Sequence, residues 1–135
     1  MTEAKITFRD ADEGSTPIKL IAFSGQLDET NVDSEAKKIY QVIEEMTQPN
    51  LILDFSNLEY MNSKSIGYVT DWYSQVTKRG GRMVILDPRP NILDILKVVG
   101  ITQIIDIHKD ITEAKKAFSA ENAGKEAPVS FFFSK

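Results

Sequence analysis

The chain has no cysteine and a single histidine among its 135 residues. Disulfides, thiolate nucleophiles and cysteine-built zinc sites are therefore excluded. His108 follows Asp106 in an Asp-x-His pair that a strand would place on one face, but two ligands without a third do not make a metal site, so a strand-end role is expected. Glycine-rich phosphate loops are also missing, in both the Gly-x-Gly-x-x-Gly and the Gly-Lys-Ser/Thr pattern, which removes the usual support for nucleotide chemistry. No apolar run approaches the roughly 18 to 20 residues of a membrane span. The polar start Met1-Thr2-Glu3-Ala4-Lys5 lacks the apolar segment of a secretory signal, so a cytoplasmic protein without membrane association is expected. There is no excess of positive charge either. A net charge of −4 offers no electrostatic reason to bind nucleic acid. Asp28, Asp54, Asp87 and Asp94 are available carboxylates, but their spacing brings no pair together for acid–base work. No catalytic residue, cofactor or metal is expected, and the chain reads as a non-enzyme.

What is present is a composition of 41% hydrophobic and 27% charged residues, that of one globular domain. Ala4 to Arg9 alternates with the period of a half-buried strand. The polar Asp10–Pro17 stretch then turns the chain into a second strand over Ile18–Gly25, giving a hairpin. A helix is expected from about Val32 to Met46, where Ala36, Ile39, Tyr40, Ile43 and Met46 recur every three or four residues. Leu51-Ile52-Leu53-Asp54-Phe55 is nearly continuous in apolar residues, as in a strand covered on both faces. A second helix follows over Ile66–Val76, with Ile66, Val69, Tyr73 and Val76 on one side, and Lys78-Arg79-Gly80-Gly81 stops it. Arg82–Leu86 is the fourth strand, Ile92 to Val99 a short helix closed by Gly100, Ile104–Ile107 a fifth strand, and Asp110–Phe118 a last helix. This order predicts an α/β fold, a mixed sheet whose later strands are parallel, covered by about four helices. Residues 1–118 form the domain; 119–135 read as a flexible tail. The tail's apolar end, Phe131-Phe132-Phe133, would dock on its own domain or serve a partner or self-association.

The octapeptide Tyr60-Met61-Asn62-Ser63-Lys64-Ser65-Ile66-Gly67 stands where a strand passes into a helix. Asn62 suits the N-cap, and Ser63 and Ser65 would occupy the first turn, beside backbone N–H groups that have no partner within the helix. Two readings stand at this point. The polar side chains simply cap the helix, or Ser63 accepts a phosphate, adding roughly −1.5 to −2 charges where the helix dipole favours an anion. The second would switch binding and leave folding intact.

The same octapeptide resembles the signature of the STAS domain of bacterial anti-sigma factor antagonists, Phe/Tyr-Met-Asp-Ser-Ser/Thr-Gly-Leu-Gly. Gly25-Gln26-Leu27-Asp28 is similar to the family's Gly-x-Leu-Asp, and Gly80-Gly81 to its Gly-Gly after the helix. The resemblance covers about Lys5 to Phe118. It implies the STAS fold and a partner-switching regulator of transcription that binds an anti-sigma serine kinase, which phosphorylates the first signature serine while a phosphatase reverses this. That serine is Ser63 here, with Ser65 a second candidate, and Asp28, Asn62, Lys64, Ser65 and Ile66 would border the contact surface. The resemblance equally covers an unmodified STAS subunit of another assembly, such as a stress-signalling scaffold or a lipid-transport complex. Asn62, Lys64 and Ser65 depart from the signature's aspartate, small residue and glycine, all within the expected contact surface.

Overall fold

A computed structural model describes residues 3–119; the expected tail and its Phe131–Phe133 end lie outside the described residues, apart from Ser119. The elements run β1 (Ala4–Asp10), β2 (Lys19–Leu27), α1 (Val32–Glu45), β3 (Asn50–Met61), α2 (Ser63–Lys78), β4 (Arg82–Leu86), α3 (Pro90–Val98), a single 3-10 turn (Ile101–Gln103), β5 (Ile107–His108) and α4 (Ile111–Lys116). The sheet has the order β1-β2-β3-β4-β5. β1 and β2 form the antiparallel hairpin, and every later neighbour is parallel, because each strand after β2 is reached through helical or looped chain long enough to return to the same end.

Period-2 alternation divides the strand side chains between two apolar layers. Ile21, Phe23, Leu51, Leu53, Phe55, Met83 and Ile85 meet Ile39 and Ile43 of α1, Val69, Trp72 and Val76 of α2, and Ile92 and Leu96 of α3. On the opposite face Leu20, Ile52, Val84 and Leu86 are covered by Ala114 and Phe118, from α4 and just after it. Two glycines are required by close approach: a Cβ at Gly81 would lie 1.6 Å from the Pro49 carbonyl oxygen, and one at Gly25, whose φ is +85°, would lie 2.2 Å from that of Glu3.

Three elements differ from expectation. β3 continues six residues beyond Phe55, to Met61. The polar Ser56-Asn57 pair hides this in the sequence, but irregularities in the pairing with β2 keep Leu58 and Met61 directed inward, both almost fully buried. Arg89 Nε and Asn91 Nδ2 also donate to the carbonyls of Ser56 and Glu59, at 3.1 and 3.0 Å, fastening the start of α3 to this extension. The fifth strand is Ile107–His108 rather than Ile104–Ile107. Gly100 in a left-handed conformation opens the 3-10 turn, which buries Ile101 and Ile105 and leaves Ile104 exposed. Finally, α2 starts at Ser63, as the expected Asn62 cap requires, but its buried stripe is Ser65, Val69, Trp72 and Val76, with Ile66 and Tyr73 at its margin.

Candidate functional site

β2 and β3 are parallel and end together, Leu27 opposite Met61. The loops that leave them, into α1 and α2, therefore open on the same end of the sheet. The junction is tied directly, since the Asn62 N–H donates to the Leu27 carbonyl at 3.1 Å. This brings Asp28, the residue after Leu27, into the neighbourhood of the octapeptide.

Asn62 has extended backbone geometry and is the N-cap of α2; its Oδ1 accepts from the Ser65 N–H at 2.9 Å and from the Ser65 hydroxyl at 2.6 Å. Ser65 is 1% exposed, with its Oγ also 3.5 Å from the Leu27 carbonyl oxygen. The expectation that Ser65 borders a contact surface is thereby corrected: the rotation of α2 that buries Val69 and Trp72 turns Ser65 inward with them. Ser63 is the first residue of α2 and is exposed, as is Lys64; Ile66 and Asn62 are half-buried. The first turn of α2 carries no carboxylate, so nothing of its own sequence answers the positive end of the helix dipole.

Lys64 reaches across to α1. Its Nζ lies 2.9 and 3.1 Å from the two carboxylate oxygens of Asp33, and the Tyr68 hydroxyl donates to the same carboxylate at 2.6 Å. Tyr68, and then Lys64, hold the Asp33 carboxyl below the usual carboxylate range, while the Asp33 contact raises Lys64. Below this bridge the rings stack. Tyr68 lies over Trp72 at 6.2 Å and 17°, Tyr40 meets both edge-on, and Trp72 reaches Phe23 of the sheet. The Tyr40 hydroxyl donates to Asp71, and burial followed by that carboxylate pushes its ionisation far above the ordinary tyrosine range.

Asp28 is half-buried at the start of the β2–α1 loop. Its Oδ1 accepts from the Thr30 N–H at 2.9 Å and the Thr30 hydroxyl at 2.5 Å, which lower its pKa. Its own N–H donates to Asn31 Oδ1 at 3.1 Å, and Asn31 Nδ2 donates to the Gln26 carbonyl at 2.9 Å. Of the residues singled out in the sequence, Asp28, Asn62, Ser63, Lys64 and Ile66 gather at this sheet end, and Ser65 is beneath them. Asp33 and Tyr68 escaped the sequence reading, although Tyr68 stands four residues after Lys64 and so shares its helix face. Among the described residues no cluster of His, Asp or Glu could hold a metal, and no helix is long and apolar enough to cross a membrane.

The described residues thus form a mixed five-stranded sheet with three helices on one face, the fourth on the other, and a capped serine-bearing helix start after the third strand. The STAS domain profile matches residues 11–114, and the chain belongs to the STAS domain family. An anti-sigma F factor antagonist of Paenibacillus polymyxa is 24% identical over 97 residues, which cover 72% of this chain and 83% of that protein. An anti-sigma factor antagonist from Mycobacterium paratuberculosis superposes with a TM-score of 0.70 at 18% identity, over 84% of this chain and 93% of the other. The phosphorylated form of the Bacillus cell fate determinant SpoIIAA does so with a TM-score of 0.62 at 22% identity, over 84% and 100%. The two structural likenesses establish the shared fold.

Proposed function

We propose that this chain is a cytoplasmic, non-enzymatic anti-sigma factor antagonist. It binds an anti-sigma serine kinase through Asp28, Asn62, Ser63, Lys64 and Ile66, and phosphorylation of Ser63 ends that binding until a phosphatase reverses it. The observation that carries the reading is the exposed Ser63 at the first position of a sixteen-residue helix whose first turn has no carboxylate. A phosphate there meets unpaired backbone N–H groups and the positive helix end, so the fold tolerates it. The kinase surface that had accepted a neutral serine would meet a dianion instead. Ser63 is preferred over Ser65, whose hydroxyl is buried and already bonded to Asn62. The name of the Paenibacillus relative agrees with the general role.

Mixing the purified chain with an anti-sigma serine kinase and ATP, followed by intact-mass and peptide mass spectrometry, tests the proposal. The expected result is a complex that dissociates as one phosphate appears on Ser63, with none on the Ser63→Ala variant. A chain that neither binds such kinases nor gains a phosphate would support the second reading, an unmodified STAS subunit of a larger assembly. The Lys64–Asp33 bridge favours that alternative, because it fixes a long side chain beside Ser63, where the signature has a small residue, and so restricts close approach of a kinase surface.

A further inference from the structure

β1 lies at an edge of the sheet and presents a row of outward backbone groups. It pairs with β2 from Ala4 opposite Gly25 to Asp10 opposite Lys19. The Glu3 carbonyl accepts from the Gln26 N–H, and the Ala11 N–H donates to the Ile18 carbonyl, both at 2.8 Å. Antiparallel ladders alternate, so the odd-numbered residues of β1 direct N–H and C=O at β2. Ala4, Ile6, Phe8 and Asp10 direct theirs away from the sheet. The side chains divide the other way: Ile6 and Phe8 stand opposite Phe23 and Ile21 on the face that carries α1 to α3, and Lys5, Thr7 and Arg9 are on the reverse face. Phe8 is 37% exposed although it sits on the apolar side. The opposite edge is β5, only two residues long, which is how proteins commonly limit edge pairing. β1 is longer, with seven residues and no proline.

We propose that β1 is a homodimerisation edge. It pairs antiparallel with β1 of a second copy about a twofold axis at Ile6, joining the two sheets into one. Charge selects this register. Centring the pair on Thr7 would set Lys5 opposite Arg9 of the other copy, a like-charge contact that destabilises a ladder; centring it on Phe8 would set Ile6 opposite Asp10. With Ile6 at the axis, every outward group of Ala4, Ile6 and Phe8 finds a partner. Ile6 then faces Ile6, and Ala4 faces Phe8, continuing the apolar layer. On the reverse face Glu3 stands opposite Arg9, and both are exposed in the single chain. The contact is distinct from the Ser63 surface.

Sedimentation equilibrium of the full chain over a concentration series is the test. The expected result is a reversible monomer–dimer equilibrium in which Glu3→Arg and Arg9→Glu each raise the dimer Kd about tenfold, while the double exchange restores it to within about threefold. Phe8→Pro removes an outward N–H without removing a β1–β2 hydrogen bond and should yield a monomer; a circular-dichroism melt checks that it folds. Should that variant fail to fold, the charge exchange decides alone. A monomer at every concentration overturns the proposal, as would covering of the edge by the chain's own 119–135 segment. A dimer whose Kd ignores the single exchanges, or is not restored by the double one, overturns it equally.

Discussion

Two helices begin side by side at one end of the sheet, each after a parallel strand and each with asparagine at its N-cap, yet they meet the same physical problem differently. In α1, Asn31 makes no cap bond with its side chain, which instead ties the β2–α1 loop, and the helix dipole is answered by Asp33 and Glu35 in the first turn. In α2, Asn62 caps, the first turn has no acid, and the first residue is the exposed Ser63. The α1 terminus is already electrostatically complete, whereas the α2 terminus is sealed below and open above. An arriving anion is favoured at α2 and repelled at α1. The Lys64–Asp33 bridge joins the two and leaves the difference intact.

The largest expected effect comes from removing the packing that holds the two starts together. Trp72 is 2% exposed and touches Tyr40, Tyr68 and Phe23, so Trp72→Ala should cost about 3–5 kcal/mol, measured by urea unfolding. Next is the cap comparison itself. Asn62→Ala leaves the Ser65 N–H and its buried hydroxyl without their acceptor and should cost about 2 kcal/mol. Asn31→Ala should cost about 1 kcal/mol, through the loop rather than the helix. Equal losses in the two variants would erase the distinction drawn between the termini.

Ser63→Asp should change the melting temperature little, with a stabilising contribution of about 0.3–1 kcal/mol, while weakening kinase binding in a pull-down or calorimetric titration. A marked loss of stability with binding unaltered would contradict the open-terminus reading. The smallest effect concerns pH. Because the Asp33 carboxyl is held below its unfolded value by Tyr68 and Lys64, its contribution is present above the usual carboxylate range and disappears as pH falls through the lowered folded value. Asp33→Asn should remove that part of the acid-side slope, and the slope should shrink in high salt because the pair is exposed. On the alkaline side the sign reverses. The raised ionisation of Tyr40 means that its contribution is intact below the ordinary tyrosine range and is lost as pH rises toward the folded value, which ultraviolet titration of Tyr40→Phe against the parent would reveal.

Much of this architecture was legible because its causes are local. The alternation of Ala4–Arg9, the apolar run at Leu51–Phe55 and the glycine stop after Lys78 each announce an element without help from distant residues. The STAS signature then located the helix start. The six-residue continuation of β3 was not legible, because Ser56 and Asn57 break the apolar run and the irregular pairing that keeps Leu58 and Met61 inward belongs to β2. The short β5 escaped for a related reason: Ile104 and Ile105 look alike as sequence, and only the left-handed Gly100 decides which of them is buried.

The sequence by itself determined the order of strands and helices, the asparagine cap and the presence of two serines in one helical turn, since hydrophobic period and N-cap chemistry act over a few neighbouring residues. The tertiary structure decided which serine faces water. Burying Val69 and Trp72 against the sheet sets the rotation of α2, and that rotation hides Ser65 and presents Ser63. It also brought Asp33, thirty-one residues away, onto Lys64, a contact that parallel strand pairing creates and no local pattern encodes.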